Sequence, residues 1–252
     1  MLNVGHTGFE PVTSALSRRH SEPTELMTQG SPKIRQNRQI VYVCKKEMLH
    51  YTRKDIDQME KIFRLNLINS CTGYKSANLI GTQSADGKTN LAVFSSITHL
   101  GSNPPLIGFV LRPTTVPRDS YRNIKASSLF TVNHIHHDTV ADAHHTSAKY
   151  PEDVSEFSKT DFDPEYLDGF QAPFVKGARV RLACRFLNEY PITENNTLLL
   201  VSEILAIHLE DGIVESDGWL NLQQAGSVTI NGLDGYSKPE LIERFQYAKP
   251  TR

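Results

Sequence analysis

Ala77–Ser120 reads ANLIGTQSADGKTNLAVFSSITHLGSNPPLIGFVLRPTTVPRDS and contains three short apolar runs: Ala77 to Thr82, Leu91 to Ile97 and Pro105 to Leu111. Ala85-Asp86-Gly87-Lys88 separates the first two, and Gly101-Ser102-Asn103-Pro104-Pro105 precedes the third. Short β-type runs bounded by Asp-Gly and Pro clusters predict consecutive antiparallel strands, the first pair a hairpin. Asn90, Ser95 and Ser96 bracket the apolar Leu-Ala-Val-Phe, and Arg112 and Arg118 follow the third run closely. An amide, two hydroxyls and two guanidiniums near one corner suit a phosphate or carboxylate.

Working outward, the chain falls into two compositional parts. Residues 1–47 are polar, with Pro, Ser and Arg and no sustained periodicity, and are expected to be disordered. Arg18, Arg19, Arg35 and Arg38 suit a transit peptide, but Glu10, Glu22 and Glu25 argue against one. The run GFEPVTSALSRR from Gly8 also resembles a translated antisense tRNA gene, which sets the expected start at Met48 or Met27. Residues 48–252 are expected to form the domain.

In that domain, Thr52 and Asp55 resemble a capping box, and Ile56, Met59, Ile62 and Phe63 recur at helical spacing. They predict an amphipathic helix from Arg53 to about Leu67, packed on the barrel or on a partner subunit. After the core strands come a short helix at Ser120 to Ala126 with Asp119 or Ser120 as N-cap, a strand at Leu129 to His134, and a helix at Thr139 to Lys149. A polar surface insertion then spans Tyr150 to Gly169. Ala172 to Leu187 and Thr197 to Leu209 predict two long strands joined near Thr193 to Asn196. A strand or turn around Trp219 and a final helical turn at Lys238 to Arg244 complete the reading. The fold class is mainly β with added helices, an antiparallel Greek-key barrel; no βαβ alternation is present.

Composition narrows the function. With 38% apolar and 22% charged residues, the 252-residue chain has an ordinary globular make-up. A net charge of −1 gives no reason to expect nucleic acid or an anionic membrane as partner. No apolar run approaches the ~20 residues of a spanning helix. Cys44, Cys71 and Cys184 are far apart and odd in number, which fits reduced thiols and a cytoplasmic setting. No P-loop, GxSxG elbow or HExxH motif is present.

The pattern DGxxNLAxFSS, then NPPLIGFxLRP, then RDSxxNI, resembles the flavin-reductase-like proteins of the FMN-binding split-barrel superfamily. That family commonly carries N-[LV]-A-P-[FY]-S, D-P-P-L and [KR]-D-T-xx-N-I. Here Val93 replaces the Pro of the first motif, Asn103 the Asp of the second and Ser120 the Thr of the third. The resemblance covers roughly Asn66 to Glu243 and implies a split β-barrel, FMN (or FAD) as cofactor, NAD(P)H as co-substrate and a homodimer. By the resemblance, Asn90 lies at the rim of the flavin site. Ala92, Val93, Phe94, Ser95 and Ser96 run along the flavin, Leu111 and Arg112 flank it from the next strand, and Arg118 and Ser120 contact its phosphate. The segment His145 to Tyr150 resembles the SAK[FY] stretch near the flavin mouth, so His145, Ser147 or Lys149 is expected close to cofactor or substrate. The implied activity is hydride transfer from NAD(P)H to flavin or another small acceptor; catalytic side chains are not specified. Two alternatives are an FMN-binding electron carrier and a His/Asp metal-dependent enzyme. The latter draws on His134, His136, His137, Asp138, Asp142, His144 and His145. No ligand set for a metal is assigned, because adjacent His pairs diverge on a helix.

Overall fold

A computed structural model describes residues 48–113 and 118–250. The disorder and alternative starts expected before residue 48 lie outside the described residues. Thr52 does cap a helix: its hydroxyl accepts from the Asp55 N–H at 3.3 Å, and the Asp55 carboxylate accepts from the Thr52 N–H at 2.8 Å. The expected single helix is two, α1 (Arg53–Gln58) and α2 (Lys61–Ser70). Glu60 leaves helical geometry between them, and its carboxylate accepts from the N–H groups of Ile62 and Phe63 at 2.8 and 3.0 Å. No residue of either helix is buried, so of the two expected places for the apolar stripe, the barrel or a partner subunit, it is not buried in the barrel.

After the two-residue β1 (Lys75–Ser76) come β2 (Asn78–Gln83), β3 (Thr89–Phe94), β4 (Thr98–Ser102) and β5 (Pro105–Leu111). Then follow α3 (Asp119–Ser127), β6 (Leu129–His134), α4 (Val140–His145), and the short β7 (Pro164–Glu165) and β8 (Phe174–Val175). The chain continues through β9 (Val180–Ile192), β10 (Thr197–Leu209), β11 (Thr229–Asn231) and β12 (Gly235–Ser237). Seven strands form an antiparallel sheet in the order β3-β2-β6-β9-β10-β5-β4. β1, β11 and β12 make a second, small sheet.

The β2–β3 hairpin is the one read from Asp86-Gly87. β3 and β5, however, are not neighbours: β5 pairs with β10 and β4, and β4 went unread. Residues 95–97 carry the chain from one terminal strand, β3, to the other, β4, and Ser96 continues the β4–β5 register opposite Val110. The Ser96 hydroxyl donates to the Val110 carbonyl at 3.0 Å and accepts from the Val110 N–H at 3.1 Å. Phe94 packs edge-on against Phe109 (5.5 Å between centroids), and Phe109 against Phe130 (5.6 Å).

β2 is buried on both faces and divides the interior. Leu79 joins Leu91, Ile135, Phe157 and Ile230 on one side; Ile80 joins Phe109, Phe130, Val132 and Leu200 on the other. At Gly81 an added Cβ would lie 2.2 Å from the Pro173 carbonyl oxygen, so β2 passes there only because the position lacks a side chain.

Several sequence expectations need correction. The N-cap of α3, expected at Asp119 or Ser120, lies one or two residues earlier, at Arg118, whose guanidinium has no acceptor and so makes no side-chain cap; Asp119, already in the helix, pairs with Arg122 at 2.7 Å. α4 is shorter than expected at both ends. The polar segment after Tyr150 is not purely surface, since Glu156, Phe157 and Phe162 are buried. Residues 238–250 form no helical turn; Arg244 instead lies over Trp219 at 4.4 Å and bonds Asp217 at 2.6 Å.

Candidate functional site

β3 is a terminal strand, so every second backbone group faces an open edge. The Leu91 N–H points that way and is held by Glu156 Oε2 at 2.9 Å. Two residues before it, Thr89 Oγ1 lies 2.9 Å from Ser155 Oγ. Alternation sends the backbone groups of Val93 to the same edge, beyond the part that the 155–156 segment covers.

At the other end of the motif, α3 begins without a side-chain cap, which leaves its first N–H groups and the positive end of its dipole available. Arg118 Nε is buried and meets no partner among the described residues. Ser120 is buried beside it in sequence, and its hydroxyl accepts from Asn90 Nδ2 at 2.9 Å, leaving its own proton to donate. Asn90 therefore ties the start of β3 to the start of α3. These groups are of the kind a phosphate monoester needs, a guanidinium, a hydroxyl and free helix N–H groups.

Each sequence-predicted residue now has a place. Asn90, expected at the rim, is buried, and its amide donates to Ser120. Ala92, Val93, Phe94 and Ser95 are half-buried along the terminal strand and just past it, although Phe94 also packs in the core. The Ser96 hydroxyl is committed to Val110. Leu111 is a core side chain at 3% exposure, so it does not flank the site with its side chain. Arg112 is exposed. Arg118 and Ser120 lie together at the start of α3.

Glu156 was missed, and no sequence signal marks it: it is one acid among many in a polar segment. Burial raises its carboxyl above the ordinary range, against the lowering effect of the N–H groups of Leu91 and of Glu156 itself; Asp119 adds to the rise. Asn123, from the third motif, is likewise structural, donating to Thr82 Oγ1 at 3.1 Å in the interior.

The five histidines do not form one cluster. His134 Nδ1 sits 3.3 Å from Ser227 Oγ, and burial pushes its pKa down to about 4. His136 and His137 approach each other instead of diverging, since they lie on a turn and not on a helix. His144 and His145 are exposed at the far end of α4, against Tyr236 and Tyr150. Ser147 and Lys149 are exposed as well. A concavity of about 420 Å³, lined by Gln83, Ala126, Tyr166 and Gln171 among others, contains none of the predicted site residues. A smaller one of about 140 Å³ reaches Asn90 from the side of Arg122 and Glu152.

A family model for the flavin reductase like domain matches residues 74–231, from β1 through β11. The chain belongs to the flavin-reductase-like family. A crystal structure of a split-barrel-domain protein from Shewanella frigidimarina NCIMB 400, assigned as a flavin reductase, is similar to this flavin-reductase-like chain. It is 41% identical with a TM-score of 0.77, over 80% of this chain and 100% of that one. Nitrilotriacetate monooxygenase component B from Bacillus cereus shares the fold at 21% identity and a TM-score of 0.68, over 79% and 98% of the two chains. The uncharacterized protein YwrF of Bacillus subtilis (strain 168) is 26% identical over 203 residues, 77% of this chain and 97% of that protein. The antiparallel sheet is thus a split-barrel fold, and the family places the chain among flavin-related oxidoreductases. No helix among the described residues is long and apolar enough to cross a membrane.

Proposed function

We propose that residues 48–252 form a flavin-reductase-like domain that holds FMN between the open edge of β3 and the start of α3. There it would accept hydride from NAD(P)H for delivery to a small acceptor. The observation that carries this reading is the buried Nε of Arg118, without a partner among the described residues, beside the start of α3, which has no side-chain cap. In this assignment Arg118, Ser120 and the first N–H groups of α3 hold the phosphate. Val93 and Ser95 offer backbone groups to the polar edge of the ring, Asn90 keeps the two elements in register, and Glu156 holds the Leu91 N–H of β3. Bound flavin supplies the two-electron chemistry. The chain's part is to exclude water from one ring face and to orient the donor over the other.

A homodimer is part of the proposal. Leu187 and Tyr190 on β9 and Leu205 and Ile207 on β10 are exposed, as are Ile62, Phe63 and Ile68 on α2, more apolar surface than scattered single residues. A cytoplasmic setting follows from the reduced-thiol reading of the sequence; Cys71 and Cys184 are both free.

The test is a visible absorption spectrum of the purified protein, with the released flavin identified, followed by NADH and NADPH oxidation. A flavin spectrum with rapid turnover supports the proposal. Bound flavin without turnover makes the chain an electron carrier. Protein that stays colourless and takes up neither FMN nor FAD rejects both.

A further inference from the structure

We propose that His136, His137 and Asp138 form a binding site for a divalent transition-metal ion of the zinc class, separate from the flavin assignment. One ligand atom from each residue lies within 4.8 Å of the other two. The Asp138 carboxylate sits 3.4 Å from His136 Nδ1 through one oxygen and 3.4 Å from His137 Nε2 through the other. The imidazole centroids are 4.0 Å apart. Neighbouring residues achieve this because the backbone turns between them. His136 is extended (φ −81°, ψ 148°), and His137 opens a short 3-10 turn, His137–Thr139.

The surroundings of His137 match those of a metal-bound histidine, whose second ring nitrogen usually donates to a carbonyl or carboxylate. His137 Nδ1 lies 3.2 Å from the Gly226 carbonyl oxygen. A carbonyl only accepts, so Nδ1 carries the proton and the Nε2 lone pair faces Asp138. His136 Nδ1 accepts only a long bond, 3.3 Å, from the Asp138 N–H, which an ion would replace. Gly226 fits against both rings: a Cβ there would lie 2.4 Å from His136 and 2.8 Å from His137. Two imidazoles and a carboxylate suit zinc, cobalt or nickel better than magnesium or calcium, which prefer oxygen. Three protein ligands leave the remaining positions to water. Arg179 and Lys238 also act on His136. Arg179 is held by Glu210 at 3.2 Å, and these cations keep the site weaker than a closed four-ligand one. The bound ion would fasten the turn after β6 to the loop around Gly226.

Tag-free protein titrated with Zn²⁺ by calorimetry, and with Co²⁺ by visible absorption, tests this. One ion per chain is expected, with Asp138→Asn and His137→Gln each weakening binding at least about tenfold. His145→Gln, at the far end of α4, should leave binding unchanged. Asp138 is 75% exposed, so Asp138→Asn is expected to keep the metal-free melting temperature, and Zn²⁺ should raise that temperature in wild type and in His145→Gln but much less in Asp138→Asn. Absence of binding, or binding that survives both substitutions, overturns the proposal.

Discussion

Glu156 accepts the backbone N–H of Leu91 at 2.9 Å, across 65 residues of sequence. The bond finishes an edge that would otherwise expose a donor in a half-apolar setting, and it buries a carboxylate to do so. Glu156→Gln keeps an acceptor and removes the charge, so stability at pH 7 should stay within about 1 kcal/mol of wild type or rise. Glu156→Ala orphans the N–H and should cost about 1–3 kcal/mol. The raised carboxyl means that the native state holds the proton more tightly than the unfolded chain. Its contribution therefore falls as pH rises from the ordinary carboxylate range through the raised value and is flat above it. Denaturant melts of wild type and Glu156→Gln across pH 4 to 8 check this; equal slopes would refute it.

The opposite sign holds at His134. Burial lowers its pKa from 6.5 to about 4, so the native state resists protonation. Stability is complete above pH 6.5 and declines as pH falls from 6.5 to 4, by about 3 kcal/mol in total. In a His134→Gln variant that acid decline should largely vanish, as measured by urea midpoints at pH 7 and pH 4.5.

Arg118→Ala should weaken FMN binding by about 1.5–3 kcal/mol, roughly 10- to 100-fold, with little change in melting temperature of the flavin-free protein. Arg118→Lys should recover part of the loss, since a point charge replaces a planar fork. Flavin fluorescence titration reads both. Unchanged affinity in Arg118→Ala would remove Arg118 from the phosphate site.

Ser96→Ala should lower stability by about 1–2 kcal/mol, because the Val110 N–H and carbonyl both lose their partner. A thermal melt measures it. Loss of flavin affinity with an unchanged melt would return the hydroxyl to the cofactor.

Gly81→Ala should be more damaging than either serine or histidine change. Its Cβ meets a backbone oxygen and Thr131 Oγ1, neither of which can swing away freely. Poor expression, or a melting temperature lowered by several degrees, is expected; a wild-type melt would contradict the close approach.

Local chemistry made much of this fold readable. β5 and β6 have the bounds their sequence suggests, because Pro105 and the end of α3 mark their starts. The turn at Thr193 to Asn196 likewise stands between β9 and β10. What escaped was set by partners distant in sequence. Thr98-His99-Leu100-Gly101-Ser102 is a strand because β5 lies beside it; its own pattern is exposed nearly throughout. Thr229 to Asn231 is held by β1, more than 150 residues earlier, and in turn pairs with Gly235 to Ser237.

At the candidate site, the motif picked out Arg118 and Ser120, which the fold brings to the start of α3, but it did not reveal the burial of Leu111 and Asn90. A strand's period places residues on faces, yet it does not say which face a core claims, and both of these are buried. Glu156 was illegible for the same reason: its role is defined by Leu91, which the neighbouring residues do not reveal.

The strand order also fixes a timetable for the growing polypeptide. β5, complete at Leu111, has as its main partner β10, which ends at Leu209. During synthesis β5 must wait while nearly a hundred further residues leave the ribosome, with Phe109 and Ile107 lacking their final cover. The β2–β3 hairpin can form early, but the sheet around it is completed only when the second half of the chain has arrived.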